Sequence, residues 1–314
     1  MRLPIHVFHR HASDRLGQLV REAAPDREVL VLSEEDALRA ALPDIEVLFA
    51  PMPPRTGWAP AARLRLLQLA GVGADHLLPS PDLPREVEVA TLRGLFANDV
   101  AEHITMMALA LVRGLPLAIE AARRREFQSR PVPRLAGRRV VFLGAGAIGR
   151  AAAVRLAVLG VRCESVSRLG RADDAFARSW SSDRLLEALR DADGLVVAVP
   201  LTEATRGIVS PASLAALTPG AFLIDVSRGG VVDETGLLQA LAEERIVAAR
   251  DVFENEPLPP SSPFFEEPGC LVTPHIAGYA TGYLDGAVSV LLDNVARLER
   301  GTPRQRLVDR VSNY

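Results

Sequence analysis

Short apolar runs of four or five residues alternate with longer amphipathic stretches along almost the whole chain. Ile5 to Phe8, Val29 to Leu32, Val47 to Ala50 and Leu66 to Leu69 read as buried strands, each separated from the next by a more polar segment. Pro51 to Pro60 is rich in proline and reads as a loop. A long helical pattern spans Asn98 to Arg113. Arg-rich sequence then leads to Arg130-Pro-Val-Pro-Arg134, where regular helix is excluded and a connector is expected. A second series of strands opens at Arg139 to Leu143. It continues through Arg162 to Ser167, Gly194 to Val199, Phe222 to Val226, Val247 to Phe253 and Cys270 to Thr273. The last helical stretch, Leu284 to Arg300, has no new strand after it. Strands alternating with helices in two series predict the α/β class, with two parallel-sheet domains. No repeat of solenoid period and no low-complexity tract interrupts the pattern.

Composition narrows the function classes. The 314 residues allow one large domain or two ordinary ones, and 48% apolar with 24% charged residues is globular usage. A formal net charge of −3 gives no electrostatic reason to expect nucleic acid or an anionic membrane as partner. No apolar run approaches the roughly 20 residues needed to span a bilayer. The opening MRLPIHVFHRHASD reads as a first strand running into a turn, not as a leader. The chain has no lysine, so all 36 basic residues are arginine. Schiff-base chemistry is thereby excluded, and any one arginine is weak evidence by itself. Cys163 and Cys270 are far apart and lack zinc-site spacing, which fits a reducing cytoplasm and predicts no metal. His6, His9 and His11 read as a polar strand end, because no carboxylate lies nearby in sequence to complete a metal site.

Gly144-Ala-Gly-Ala-Ile-Gly149 sits where a dinucleotide needs it. An apolar strand feeds Gly144, and a helical stretch follows from Ala147 to Leu159. Gly160 then stands at the position of a helix-terminating glycine, before a second strand. Gly144 permits the tight turn, Gly146 leaves room for a pyrophosphate, and Gly149 lets helix and strand pack closely. The N–H groups of Ala147, Ile148 and Gly149 lie at the positive end of the helix dipole. A unit that binds NAD normally ends its second strand with Asp or Glu. Here that end reads Val166-Ser-Arg-Leu-Gly-Arg171, without an acid. A hydroxyl and a guanidinium suit a 2′-phosphate, so NADP(H) is expected in preference to NAD(H). Ser167 and Arg168 are the expected readers, with Arg171 as a third candidate.

Reduction of a 2-oxo acid requires a held carboxylate, a polarised carbonyl and a proton donor. Arg228, Glu256 and His275 follow three strands of the second series, where open parallel sheets bind ligands. An arginine suits anchoring and polarisation. A histidine kept protonated and oriented by a carboxylate suits proton delivery, so the rate of reduction should fall at alkaline pH. His103 is read as a structural hydrogen-bonding residue. His76 is read either at the border of a substrate cleft or on the surface. Trp58 and Tyr279 are read either as a substrate wall or as packing residues.

These motifs, in order, resemble the D-isomer-specific 2-hydroxyacid dehydrogenases over nearly the whole chain. They are Ala70-Gly-Val-Gly-Ala-Asp75, Asn98-Asp-Val-Ala-Glu-His103, the Gly144 loop and Pro200-Leu-Thr-Glu-Ala-Thr-Arg-Gly207. After these come Ile224-Asp-Val-Ser-Arg-Gly-Gly230, Asp251-Val-Phe-Glu-Asn-Glu-Pro257 and Thr273-Pro-His-Ile-Ala-Gly278. The resemblance implies that His275 is the acid/base, Glu256 its partner and Arg228 the anchor. It implies that backbone N–H groups at Gly71, Val72 and Gly73 bind the substrate carboxylate. Asp251 would face the nicotinamide carboxamide, while Pro200, Thr205, Val226 and Ser227 would line the cofactor groove. The implied fold has two Rossmann-like domains. A dinucleotide domain at 99–279 is inserted into a split, flavodoxin-like substrate domain at 1–98 and 280–314, and the two crossings act as hinges that close the Gly71 loop over Arg228 and His275. A homodimer involving the helix after Asn98 is implied as well, and no further domain is expected after the last helix. The leading expectation is NADP(H)-dependent reduction of glyoxylate, hydroxypyruvate or a similar acid to the D-2-hydroxy acid. Alternatives are a larger 2-oxo acid, another small anion such as formate or phosphite, and a dinucleotide-sensing corepressor. Formate enzymes of this fold carry Gln at the position of Glu256, which disfavours that option.

Overall fold

The computed structural model describes residues 2–9, 13–127 and 129–310. His11 lies outside the described residues. The chain divides into two compact units, Met1–Leu95 with Thr281–Tyr314, and Phe96–Ala280. The crossings thus fall at 95/96 and 280/281, against the expected 98/99 and 279/280.

The first unit contains β1 (Ile5–Phe8), α1 (Ser13–Ala23), β2 (Val29–Leu32), α2 (Glu35–Ala41), β3 (Val47–Ala50), β4 (Leu66–Leu69) and β5 (Glu88–Ala90). Every pairing is parallel and the strand order is β2-β1-β3-β4-β5. This is the flavodoxin-like order, with its switch point between β1 and β3. β1, β3 and β4 are buried at every position, because a parallel sheet covered on both faces excludes water from each side. Trp58 is fully buried among Leu48, Leu67 and Leu69, and its indole N–H donates to the Pro54 carbonyl at 3.0 Å. The substrate-wall alternative for Trp58 is therefore corrected: an indole with no exposed surface packs the core. In the same loop Met52 reaches solvent, with 61% exposure.

The second unit opens with α3 (Ala97–Val112) and α4 (Leu115–Arg123), which are separated at Gly114 in a left-handed conformation. It continues through β6 (Arg139–Leu143), α5 (Ala147–Val158), β7 (Arg162–Ser167), β8 (Arg178–Ser181), α6 (Leu185–Leu189) and β9 (Gly194–Val197). Then come α7 (Pro211–Ala216), β10 (Ala221–Asp225), α8 (Glu234–Ala242), β11 (Ile246–Arg250) and β12 (Cys270–Val272). The seven-stranded sheet is parallel throughout, in the order β12-β11-β10-β9-β6-β7-β8. Its doubly wound arrangement reverses between β6 and β9, which is where such sheets bind a dinucleotide. Alternate residues of β6 serve opposite cores. Val141 and Leu143 pack with Leu189, Leu214 and Leu237, while Val140 and Phe142 pack with Ile104, Met107 and Leu156. The chain then returns to the first unit as α9 (Tyr283–Glu299). Among the described residues no single helix is long and apolar enough to cross a membrane; α3 and α4 together are, but they bend by 64°.

Two strands carried no sequence signal. β5 has three residues, and β8 reads Arg-Ser-Trp-Ser with one buried side chain, so neither offers an apolar run. The strand expected over 247–253 stops at Arg250. Beyond it the neighbouring strands have also ended, and the chain turns to present Asp251 and the residues that follow.

Candidate active site

The glycine loop is built for close approach. Gly144 has φ +114°, and a Cβ there would lie 2.5 Å from the Ala198 carbonyl oxygen. A Cβ on Gly149 would lie 2.1 Å from the Gly144 oxygen, so this glycine sets the spacing between α5 and β6. Gly146 has nothing within 4 Å of its Cβ position, so the space a pyrophosphate needs is open. Gly146 caps α5 without a side chain, leaving the first N–H groups of a 12-residue helix for an anion. These residues fit a dinucleotide.

At the end of β7, Ser167 is half-buried, while Arg168 and Arg171 are exposed. The nearest acid downstream, Asp173, is paired with Arg150 of α5 and accepts from the Ala175 N–H. Between β9 and α7, the Thr205 hydroxyl donates to the Pro200 carbonyl at 2.6 Å and accepts from the Thr202 N–H at 2.8 Å. Thr205 therefore shapes the Pro200 turn. Val226 and Ser227 are buried at 8% and 3% exposure. Ser227 directs both its N–H and its hydroxyl at Asp225 Oδ1, which leaves Arg228 as the side chain of this turn that reaches solvent.

Arg228, Glu256 and His275 follow β10, β11 and β12, three neighbouring parallel strands, and so emerge at the same edge of one sheet. Arg228 Nη1 donates to the Ser227 carbonyl at 2.7 Å. Glu256 is fixed at both oxygens. Oε1 accepts from the Phe253 N–H at 2.8 Å, and Oε2 lies 2.6 Å from His275 Nδ1. With Nδ1 bonded to the carboxylate, Nε2 is the nitrogen that can gain and lose a proton. The His275 side chain is 45% exposed, so the proton has a route to a ligand.

His275 has φ +55°, a left-handed conformation that costs a non-glycine residue about 1–3 kcal/mol. Asp251, 2% exposed, holds it there. Oδ1 accepts from the Thr273 hydroxyl at 2.6 Å and the Ile276 N–H at 2.9 Å, and Oδ2 accepts from the Ala277 N–H at 2.9 Å. Because the Thr273 proton goes to Asp251, its oxygen accepts from His103 Nε2 at 3.2 Å. Burial pushes the His103 pKa down against the pull of Asp251, in keeping with a neutral ring that donates through Nε2. His103 thus has the structural role expected of it. Thr273 had no signal beyond its place as the first residue of the last motif. Burial pushes both thiols, Cys163 and Cys270, up to about 12, so neither is a nucleophile at neutral pH.

In the first unit, the loop after β4 is held by neutral groups. The Tyr283 hydroxyl donates to the Ala70 carbonyl at 2.6 Å, and the Leu92 N–H donates to the Gly71 carbonyl at 2.8 Å. Gly71, Val72 and Gly73 are all partly exposed.

A family model described as D-isomer specific 2-hydroxyacid dehydrogenase, NAD binding domain, matches residues 105–277. The chain belongs to this family. It is 32% identical over 243 residues to an (S)-sulfolactate dehydrogenase of Chromohalobacter salexigens, covering 74% of this chain and 77% of the relative. It is 33% identical over 243 residues to a glyoxylate reductase/hydroxypyruvate reductase of Mus musculus, covering 75% and 74%. Among solved structures, an NADPH-dependent glyoxylate/hydroxypyruvate reductase from Sinorhizobium meliloti, in complex with NADP and sulfate, superimposes with a TM-score of 0.88. That pair is 27% identical, and the match covers 99% of this chain and 100% of the other. As a member of the D-2-hydroxyacid dehydrogenase family, the protein is an NAD(P)-dependent oxidoreductase.

Proposed function

We propose that this dehydrogenase reduces a small 2-oxo acid of the glyoxylate or hydroxypyruvate type to the D-2-hydroxy acid, with NADP(H) preferred over NAD(H). The observation that carries the proposal is the 2.6 Å bond from His275 to Glu256, on strand ends beside Arg228. When bound, a nicotinamide cofactor would supply the hydride that the carbonyl carbon accepts. Arg228 anchors the carboxylate and polarises the carbonyl, His275 delivers the proton to the forming alkoxide through Nε2, and Glu256 holds the ring in place through Nδ1. The N–H groups of Gly71, Val72 and Gly73 supply further donors for the carboxylate. Gly144, Gly146, Ala147, Ile148 and Gly149 hold the pyrophosphate. Pro200, Thr205, Val226 and Ser227 border the nicotinamide half, and Asp251 keeps acceptor capacity on Oδ2 for the carboxamide.

Ser167, Arg168 and Arg171 read the 2′-phosphate, a role supported by the absent acid and by the exposure of both guanidinium groups. The exposed Met106, Leu109, Leu115 and Ile119 on α3 and α4 support a homodimer formed through these helices. Unpaired Cys163 and Cys270 support a cytoplasmic location.

A panel of glyoxylate, hydroxypyruvate, 3-sulfopyruvate and larger 2-oxo acids, assayed with NADPH and with NADH, tests the proposal. It expects the highest kcat/KM with a two- or three-carbon acid and NADPH. Preference for NADH would refute the 2′-phosphate readers, and preference for the sulfonate would move the substrate towards that of the C. salexigens relative. No turnover of any member would favour a sensing role.

A further inference from the structure

A fully buried cation lies beneath the catalytic turns. Arg250, the last residue of β11, has no exposed surface. Its Nη2 lies 3.4 Å from Asp225 Oδ2, and its Nη1 lies 2.9 Å from Glu234 Oε1. The guanidinium carbon sits 4.7 Å from the Phe253 ring centroid and 4.9 Å from that of Phe264. Its Nε has no hydrogen-bond partner among the described residues. Burying an ion pair costs several kcal/mol of hydration per ion, and such pairs often add nothing to stability compared with apolar side chains. A stabilising role alone is a poor reason for this arrangement.

The partners of Arg250 indicate another role. Asp225 uses its other oxygen to hold the N–H and hydroxyl of Ser227, and the Ser227 carbonyl in turn accepts from Arg228. The Glu234 oxygen that meets Arg250 also accepts from the Glu254 N–H at 2.9 Å, next to the Phe253 N–H that holds Glu256. The two turns also touch directly, since a Cβ on Gly229 would lie 2.0 Å from the Phe253 carbonyl oxygen.

We propose that Arg250 is a positioning residue, whose buried guanidinium ties the Arg228 turn to the Glu256 turn and fixes the register of anchor and acid/base. One cation faces two carboxylates, one on each turn's support. Removing it leaves Asp225 and Glu234 uncompensated, and each turn then moves to relieve its own buried charge. The effect on catalysis rests on the triad reading above; the effect on geometry does not.

Arg250→Leu, Arg250→Lys and Glu234→Ala test the inference. Glu234→Ala guards against a failure of Arg250→Leu to fold, because Glu234 is partly exposed and α8 keeps its Asp233 cap. Arg250→Leu should lower kcat at least tenfold and raise KM for the 2-oxo acid at least threefold, with the Kd for NADPH within twofold. Glu234→Ala should move both parameters in the same directions by a smaller factor, and Arg250→Lys should recover most of the loss. A purely structural role would lower apparent kcat through the folded fraction and leave KM unmoved, and that result would overturn the inference. So would wild-type kinetics in Arg250→Leu or Glu234→Ala, or equal losses in the leucine and lysine variants. The His275 ring resonance in ¹³C-histidine-labelled protein, assigned with His275→Gln, reads the geometry without any substrate. Arg250→Leu should shift or broaden it and Arg250→Lys should preserve it. An unchanged resonance in Arg250→Leu would overturn the inference even if the wild type reduced no 2-oxo acid.

Discussion

The loop after β4 and the loop after β12 both sit at the C-terminal ends of parallel strands, yet different chemistry holds them. The first is braced by neutral groups. Tyr283 holds Ala70, and a buried amide pair lies behind it, with Asn294 Nδ2 donating to Gln68 Oε1 at 2.9 Å and Gln68 Nε2 donating to the Leu69 carbonyl at 3.0 Å. The second is braced by carboxylates, with Asp251 holding three donors around His275 and Glu256 holding the ring itself. The contrast follows the charge each loop has to work with. A loop that offers N–H donors to an anion is weakened by a fixed negative charge beneath it. A loop whose histidine is held through a ring N–H gains from an acceptor there.

Four substitutions sharpen this contrast, the largest effect first. Glu256→Gln removes the charge beside His275 and should lower kcat about 10²-fold, the scale of a misplaced or weakened general acid; steady-state kinetics at saturating NADPH would read it. Asp251→Asn turns one of the two acceptor oxygens into a donor that faces either the Ile276 or the Ala277 N–H. The left-handed turn at His275 then loses support, and kcat should fall about tenfold, or ~1.4 kcal/mol of barrier. The neutral brace should behave differently. Asn294→Leu strands Gln68 and the Gln305 N–H, which donates to Asn294 Oδ1 at 2.7 Å, so urea unfolding should show a loss of about 1–3 kcal/mol while kcat at saturating substrate stays within twofold. A tenfold loss of kcat in Asn294→Leu would erase the distinction.

The smallest effect is expected at Glu299, at the end of α9. Arg27, through a side-chain hydrogen bond, holds the Glu299 carboxyl down at about 2, from an ordinary value of 4.5. A depressed folded value means that this stabilisation is complete above about pH 4.5 and is lost as pH falls towards 2. Glu299→Gln should therefore lower stability by about 1 kcal/mol at pH 7. The gap to wild type should close in denaturation curves taken below pH 4.5. A gap that widened on acidification would contradict the pairing.

Much of this architecture is legible along the chain because parallel strands buried on both faces must be apolar runs. β1, β3 and β4 stand out for that reason, β2 is an apolar run although it is only partly buried, and β5 and β8 do not stand out. The glycine loop is legible because each glycine answers a local steric demand between adjacent elements. The triad is legible through the order of its motifs. The supports beneath it are not, because they join residues far apart in sequence. Asp225 meets Arg250 across two strands, and His103 reaches Thr273 from a helix 170 positions earlier. Arg250 also hides among 36 arginines, although a charge closing the apolar run Ile246 to Ala249 was a signal that burial makes meaningful. Trp58 was ambiguous for a related reason, since a Pro-rich loop does not show which of its side chains folds inward.

The central claim is that His275, held by Glu256 beside Arg228, delivers the proton in reduction of a small 2-oxo acid. The most direct test compares wild type with His275→Gln, measuring NADPH oxidation by glyoxylate and hydroxypyruvate together with the Kd for NADPH. The predicted result is turnover by the wild type and a loss of kcat of about 10³-fold or more in the variant, with NADPH affinity unchanged. A variant that keeps wild-type kcat would contradict it.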